Sequence, residues 1–94
     1  MSDASAVRHD PDHTRFALAT DHGDAVVVYQ RRGDVLALVH TEVPTEAEGQ
    51  GVGSALVRGT LEHIREEGWT MRPSCPFVAA YVERHPEYAD LVAA

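Results

Sequence analysis

Between Glu48 and Val57 the chain reads Glu-Gly-Gln-Gly-Val-Gly-Ser-Ala-Leu-Val, three alternate glycines running into an amphipathic helical pattern. Glycine permits left-handed backbone angles and lets another group approach the main chain closely. The first N–H groups of a helix have no acceptor within it and sit at the positive end of its dipole. Gly49, Gln50, Gly51, Val52, Gly53 and Ser54 therefore read as a cradle of main-chain amides for an anion, and the expected ligand is a phosphorylated cofactor. Cys75, the one cysteine, stands at the start of a helical segment opened by Pro76, where the dipole would acidify its thiol. It is a candidate nucleophile, with burial as a small apolar group the competing fate. His40 and Glu42 lie two apart on an extended run, share one of its faces and are the candidate general bases.

The absences narrow the chemistry. The loop has no Gly-Lys-Ser/Thr ending, which a nucleoside triphosphate site needs for its phosphates and magnesium. Its spacing is alternate rather than Gly-x-Gly-x-x-Gly after a first strand, which argues against a dinucleotide fingerprint. His9, His13, His22, His63 and His85 form no His-Glu-x-x-His pattern and have no cysteine pair or carboxylate loop beside them, so no metal is expected. Arg31-Arg32 reads as a solvated hairpin tip. A net charge of −7 argues against nucleic acid, whose backbone calls for clustered Lys and Arg. An acidic surface suits cationic acceptors such as amines, although solubility alone accounts for such a charge.

These residues must be positioned by one domain, since 94 residues suffice for a single core. Residues 1–13 are polar and aperiodic and are expected to form a disordered arm, leaving 14–94 as the domain. Strands are predicted over 14–20 and 25–30, joined by a turn at Asp21-His22-Gly23-Asp24. The apolar run 35–43 suggests a strand covered on both faces at the centre of the sheet. Pro44 ends that strand, and a helix follows over 51–67 with Val57, Leu61 and Ile64 facing the sheet and Gly68 as its left-handed cap. A short strand begins at Trp69 and breaks at Pro73; a second helix runs over 76–84, with Pro76 in its first turn and Pro86 beyond its end. No apolar run approaches the roughly 18 residues of a membrane helix and no signal segment is read, so no membrane partner is expected. The unpaired cysteine fits a reducing compartment, and the expected location is cytoplasmic.

From His40-Thr41-Glu42-Val43-Pro44 through the glycine loop to Cys75-Pro76-Phe77-Val78-Ala79-Ala80-Tyr81-Val82-Glu83-Arg84-His85-Pro86-Glu87-Tyr88, the chain resembles the small single-domain members of the GNAT superfamily of N-acetyltransferases. Gly51 and Gly53 match the superfamily's coenzyme A loop of Arg or Gln, two residues, Gly, one residue, then Gly or Ala. Glu48 departs from it, placing an acid where a phosphate-holding side chain usually stands. The resemblance implies a compact GNAT-like α/β fold of the α+β type, with a mostly antiparallel sheet, one long helix and a shorter C-terminal helix. It also implies acetyl-CoA as cofactor and acetyl transfer to an amine acceptor, either a small molecule or a protein lysine. In such proteins the strand ending at Val43 splays from its neighbour and offers main-chain N–H groups to the pantetheine arm, with Val43 best placed to polarise the thioester carbonyl. Cys75 falls near the cofactor thiol, so an acetyl-cysteine intermediate stands beside direct transfer. Tyr81 falls near the tyrosine that many members use to protonate the departing thiolate; a half-buried packing ring is the alternative. No helices of the kind that wall the acceptor pocket in larger members are read before the first strand. That leaves a coenzyme A binding module with little turnover as the other reading, and pairing into a homodimer as one way to complete the pocket.

Overall fold

Phe16 and Leu18, Val27 and Tyr29, and Leu36 and Leu38 fall two apart, so each pair shares a face once the chain is extended. In the computed structural model, which describes residues 6–94, these pairs line one side of a five-stranded sheet. The strands lie in chain order: β1 (Arg8–Asp10), β2 (Arg15–Thr20), β3 (Gly23–Arg32), β4 (Val35–Glu42) and β5 (Thr70–Arg72). β1 to β4 run antiparallel, whereas β5 pairs parallel with β4 after a crossover through α1 (Val52–Glu67). α2 (Pro76–Arg84) and a 3-10 segment (Pro86–Leu91) complete the chain. The fold is α/β of the α+β type, with a mostly antiparallel sheet, one long helix and one shorter one.

Val57, Leu61 and Ile64 are fully buried, as their helical spacing predicts. Leu56 joins them, with Thr60, whose hydroxyl donates to the Leu56 carbonyl at 2.8 Å. These α1 side chains, Val78 and Tyr81 of α2, and Tyr88 and Leu91 all belong to one cluster with the inward side chains of the sheet. Each fully buried leucine or phenylalanine stabilises the fold by about 1.5–3 kcal/mol. Both helices thus lie on one side of the sheet, and α1 ends at Gly68 with φ 75°, its amide capping the Arg65 and Ile64 carbonyls.

Two expectations are corrected. Residues 1–5 of the expected arm lie outside the described residues, but residues 8–13 form β1 and a 3-10 turn, and Val7 is buried. The strand was hidden because His9 does an apolar residue's work: its ring stacks on Phe16 at 4.5 Å and its Nε2 is hydrogen-bonded to the Tyr29 hydroxyl at 2.7 Å. β4, expected at the sheet centre with both faces covered, is second from the edge, and only Leu36 and Leu38 in it are fully buried. An unbroken apolar run does not by itself reveal how many of its faces are packed.

Two irregularities in β4 position the site. Opposite Val28 stands His40, but opposite Tyr29 stands Leu38, so Val39 is an extra residue in the ladder. A bulge of this kind reverses which side the following residues face. Thr41 consequently sits opposite buried Val27 and joins the helix side, while His40 and Glu42, opposite Val28 and Val26, turn to the other side. The second irregularity is a parting of strands. Pairing of β4 with β5 stops at Ala37 and Arg72, and the Cys75 N–H donates to the Leu38 carbonyl at 2.8 Å. Beyond that bond, the edge of β4 facing away from β3 has no strand partner among the described residues.

Candidate active site

The loop after β4 makes a 3-10 turn (Thr45–Ala47) and then two left-handed steps, Gly49 at φ 81° and Gly51 at φ 77°, before α1 begins. A side chain at either step would be strained, which is why glycine is needed there. The first hydrogen bond of α1 runs from the Ala55 N–H to the Gly51 carbonyl at 3.0 Å. Val52, Gly53 and Ser54 form the first turn ahead of it, and no side chain caps that end. Left-handed glycines beside the free N–H groups of a helix start are elements from which anion-binding concavities are made.

This loop borders a groove of about 420 Å³. Thr41 and Val43 form one wall, the loop from Ala47 to Ser54 forms the base, and Phe77 of α2 closes the far side. No Lys, Arg or His lines it, and Glu48 is its only ionisable residue. An anion placed here would meet main-chain N–H groups and the residues Thr41 and Ser54 but no cationic side chain. Gln50 does not line the groove; its side-chain amide reaches back to the Glu46 carbonyl at 3.4 Å. Gly53 serves a purpose the sequence did not suggest: a Cβ on it would come 2.7 Å from the Phe77 ring, so the small residue admits that ring against the first turn of α1.

Cys75 is the N-cap of α2, nearly buried, and its thiol donates to the Thr41 hydroxyl at 3.4 Å. Burial pushes the thiol pKa up, but the Thr41 side chain and the N–H groups of Val78, Phe77 and Thr41 together outweigh it, and the net shift is downward. Thr41 lines the groove, so the acidified sulfur lies one side chain away from it. Tyr81 is brought to the same helix but not into the groove lining. It is buried, its ring stacks on His85 at 4.0 Å, and burial raises its pKa, keeping the phenol protonated. His40 and Glu42 contact each other at 3.3 Å on the opposite side of the sheet, exposed and away from the groove lining. Thr41, Ala47 and Phe77 were missed. Thr41 was bracketed by more reactive neighbours, and the approach of Phe77 to Gly53 spans two helices that sequence spacing does not relate.

The chain is thus a two-layer α/β domain with free main-chain N–H groups at a helix start, beside a strand that parts from its neighbour. The model of the GCN5-related N-acetyl-transferase family matches residues 15–91, and the chain belongs to that family. Among solved structures it is similar to the NMR solution structure of a GCN5-like N-acetyltransferase candidate from Staphylococcus aureus, with 26% identity, a TM-score of 0.70, and coverage of 94% of this chain and 87% of that one. Acetyl transfer is the chemistry of the family. No helix among the described residues is long and apolar enough to cross a membrane.

Proposed function

We propose that this protein binds acetyl-CoA in the groove and transfers the acetyl group to an amine, with Cys75 as its intermediate carrier. The observation that carries the reading is the continuity of one groove from the amide cradle at residues 49–54 to Thr41, the hydrogen-bond partner of Cys75. The residues present fit the cofactor: N–H groups for a diphosphate, the apolar walls of Val43, Val52 and Phe77 for a pantetheine arm, and an unpaired strand edge for its amides. Bound acetyl-CoA supplies an acyl group activated as a thioester.

The chain's own groups do the rest. The Cys75 thiolate, stabilised by Thr41 and the α2 amides, attacks the acyl carbon, and the oxygen's developing charge is met by a main-chain N–H near Val43. The Sγ–carbonyl bond forms as the carrier's C–S bond breaks, and the departing thiolate takes a proton. Tyr81 is the tyrosine candidate for that proton, held protonated by burial. In the second step an amine reaches acetyl-Cys75 around the unpaired edge of β4, the C–N bond forms as the acyl–Sγ bond breaks, and His40 or Glu42, which lie on the far side of the sheet, takes the amine's proton at that edge. Direct transfer from the thioester to the amine uses the same base and bypasses Cys75. The unpaired thiol supports a reducing, cytoplasmic setting.

A binding module with little turnover is the second reading, favoured by the absence of any described helix over the face that carries His40 and Glu42. Two measurements separate these cases. Isothermal titration with acetyl-CoA is expected to show saturable binding, and its absence at millimolar concentration removes both readings. Intact mass after incubation with acetyl-CoA is expected to include one added acetyl group that Cys75→Ala abolishes. Binding and turnover without that adduct assign direct transfer.

A further inference from the structure

On the side of the sheet away from the helices, Gln30, Arg32, Val35, Ala37 and Arg72 enclose a second pocket, of about 260 Å³. Arg32 stands beside Val35 and Arg72 beside Ala37, so the two guanidinium groups flank β4 from both neighbouring strands. Arg8, Arg15 and Arg65 each pair with an aspartate, and Arg31 lies over the Trp69 ring at 4.3 Å. Arg32 and Arg72 pair with no carboxylate among the described residues. Two unpaired arginines and an amide around a floor of Val35 and Ala37 make a receptor for a carboxylate or phosphate attached to an apolar chain.

The same face of β4 continues past the bulge to His40 and Glu42. A group held between Arg32 and Arg72 lies level with Leu36, opposite Arg31 of β3, and His40 lies opposite Val28; three residues of β3 separate these levels, which is roughly 10 Å at the rise of a strand. Resting on the acetyl-transfer reading above, we propose that this strip seats the acceptor, and that the acceptor is an amine bearing a carboxylate or phosphate about 10 Å from its nitrogen. The acidic end lies between Arg32 and Arg72, and the nitrogen lies at His40 and Glu42, beside the unpaired edge of β4. Glu42 offers the ammonium form a counter-charge, and His40 takes the proton as the C–N bond forms and the thioester C–S bond breaks. The two substrates then approach β4 from opposite sides of the sheet and meet at its edge.

The test uses 8-aminooctanoate against octylamine, which lacks the terminal carboxylate. Binding is followed by NMR at the Nε–H signals of Arg32 and Arg72, and turnover by release of free thiol from acetyl-CoA. The carboxylate is expected to bind about tenfold more tightly than octylamine, with shifts at both arginines, and to show a correspondingly lower KM. In an Arg32→Gln, Arg72→Gln double variant that difference is expected to vanish. 8-Aminooctyl phosphate, run beside the carboxylate, tells which acidic group is preferred. Equal binding of the charged and uncharged amines, or a difference that survives the double variant, overturns the inference. Arginine shifts with no acetylation of either amine would leave the anion site standing and sink the acetyl-transfer reading instead.

Discussion

The two sides of the sheet are made from the same strands yet differ in kind. The helix side is dry: Phe16, Leu18, Val27, Leu36 and Leu38 pack in one core with α1 and α2, and the groove on that side has Glu48 as its single ionisable lining residue. The other side presents Arg32, Arg72, His40 and Glu42 with no helix of the described chain over them. The difference teaches that one bulge, which leaves Val39 unpaired, assigns reactive groups to separate compartments. Were Val39 paired regularly, with no bulge, His40 and Glu42 would follow Leu36 and Leu38 onto the helix side, and Thr41 would lose Cys75.

Adjacent residues on opposite sides give the sharpest contrast. Leu36→Ala is expected to cost about 2–5 kcal/mol in urea unfolding, because the cavity it leaves lies within the closed hydrophobic core. Val35→Ala, facing the second pocket, is expected to cost about 1 kcal/mol or less. Equal losses would mean that the outer side is packed as tightly as the inner one.

The groove gives the next largest effect. Gly51→Val forces a branched side chain to φ 77°, with strain of about 1–2 kcal/mol, and is expected to weaken acetyl-CoA binding tenfold or more by titration calorimetry. Undiminished affinity would show that the cradle is not the cofactor's seat. Cys75 tests the bulge itself. Thr41→Val removes a hydrogen bond that favours the thiolate, so the pH midpoint of Cys75 alkylation is expected to rise and the rate at neutral pH to fall severalfold. His40→Ala is expected to leave that midpoint in place, because its side chain lies across the sheet; movement by both would contradict the register.

The smallest expected effect is the pH dependence contributed by His9. Burial first, then the neighbouring His63 and Arg31, lower its pKa below 6.5 in the folded chain. As pH falls from 6.5 toward that lower value, the unfolded chain takes up the proton before the folded chain does, so stability declines across this window and is fully retained above it. His9→Phe is expected to flatten that part of a stability-against-pH curve. An unchanged slope would assign the decline to other groups.

Much of this was legible in the sequence. The helix over residues 52–67 and its Gly68 cap follow from apolar spacing and one glycine, and Pro76 marks the start of α2. The left-handed turns ahead of α1 were legible, because Gly49 and Gly51 stand where such backbone angles call for glycine. His40 and Glu42 share a face, as a spacing of two requires, but which face was hidden. Apolar residues run unbroken from Val35 to Val39, and an extra residue in such a run leaves no mark in hydropathy. β1 was missed for a related reason: Arg8, His9 and Asp10 are polar, and only contact with Phe16 and Tyr29 shows His9 behaving as an aromatic filler.

The bond from the Cys75 amide to the Leu38 carbonyl has one more consequence. It fastens two diverging segments at a single point, so the wedge between them has a fixed apex made of backbone. With the Leu38 carbonyl already taken, a guest that paired with the free edge of β4 could extend its pairing no farther than this bond, whatever side chains line the wedge.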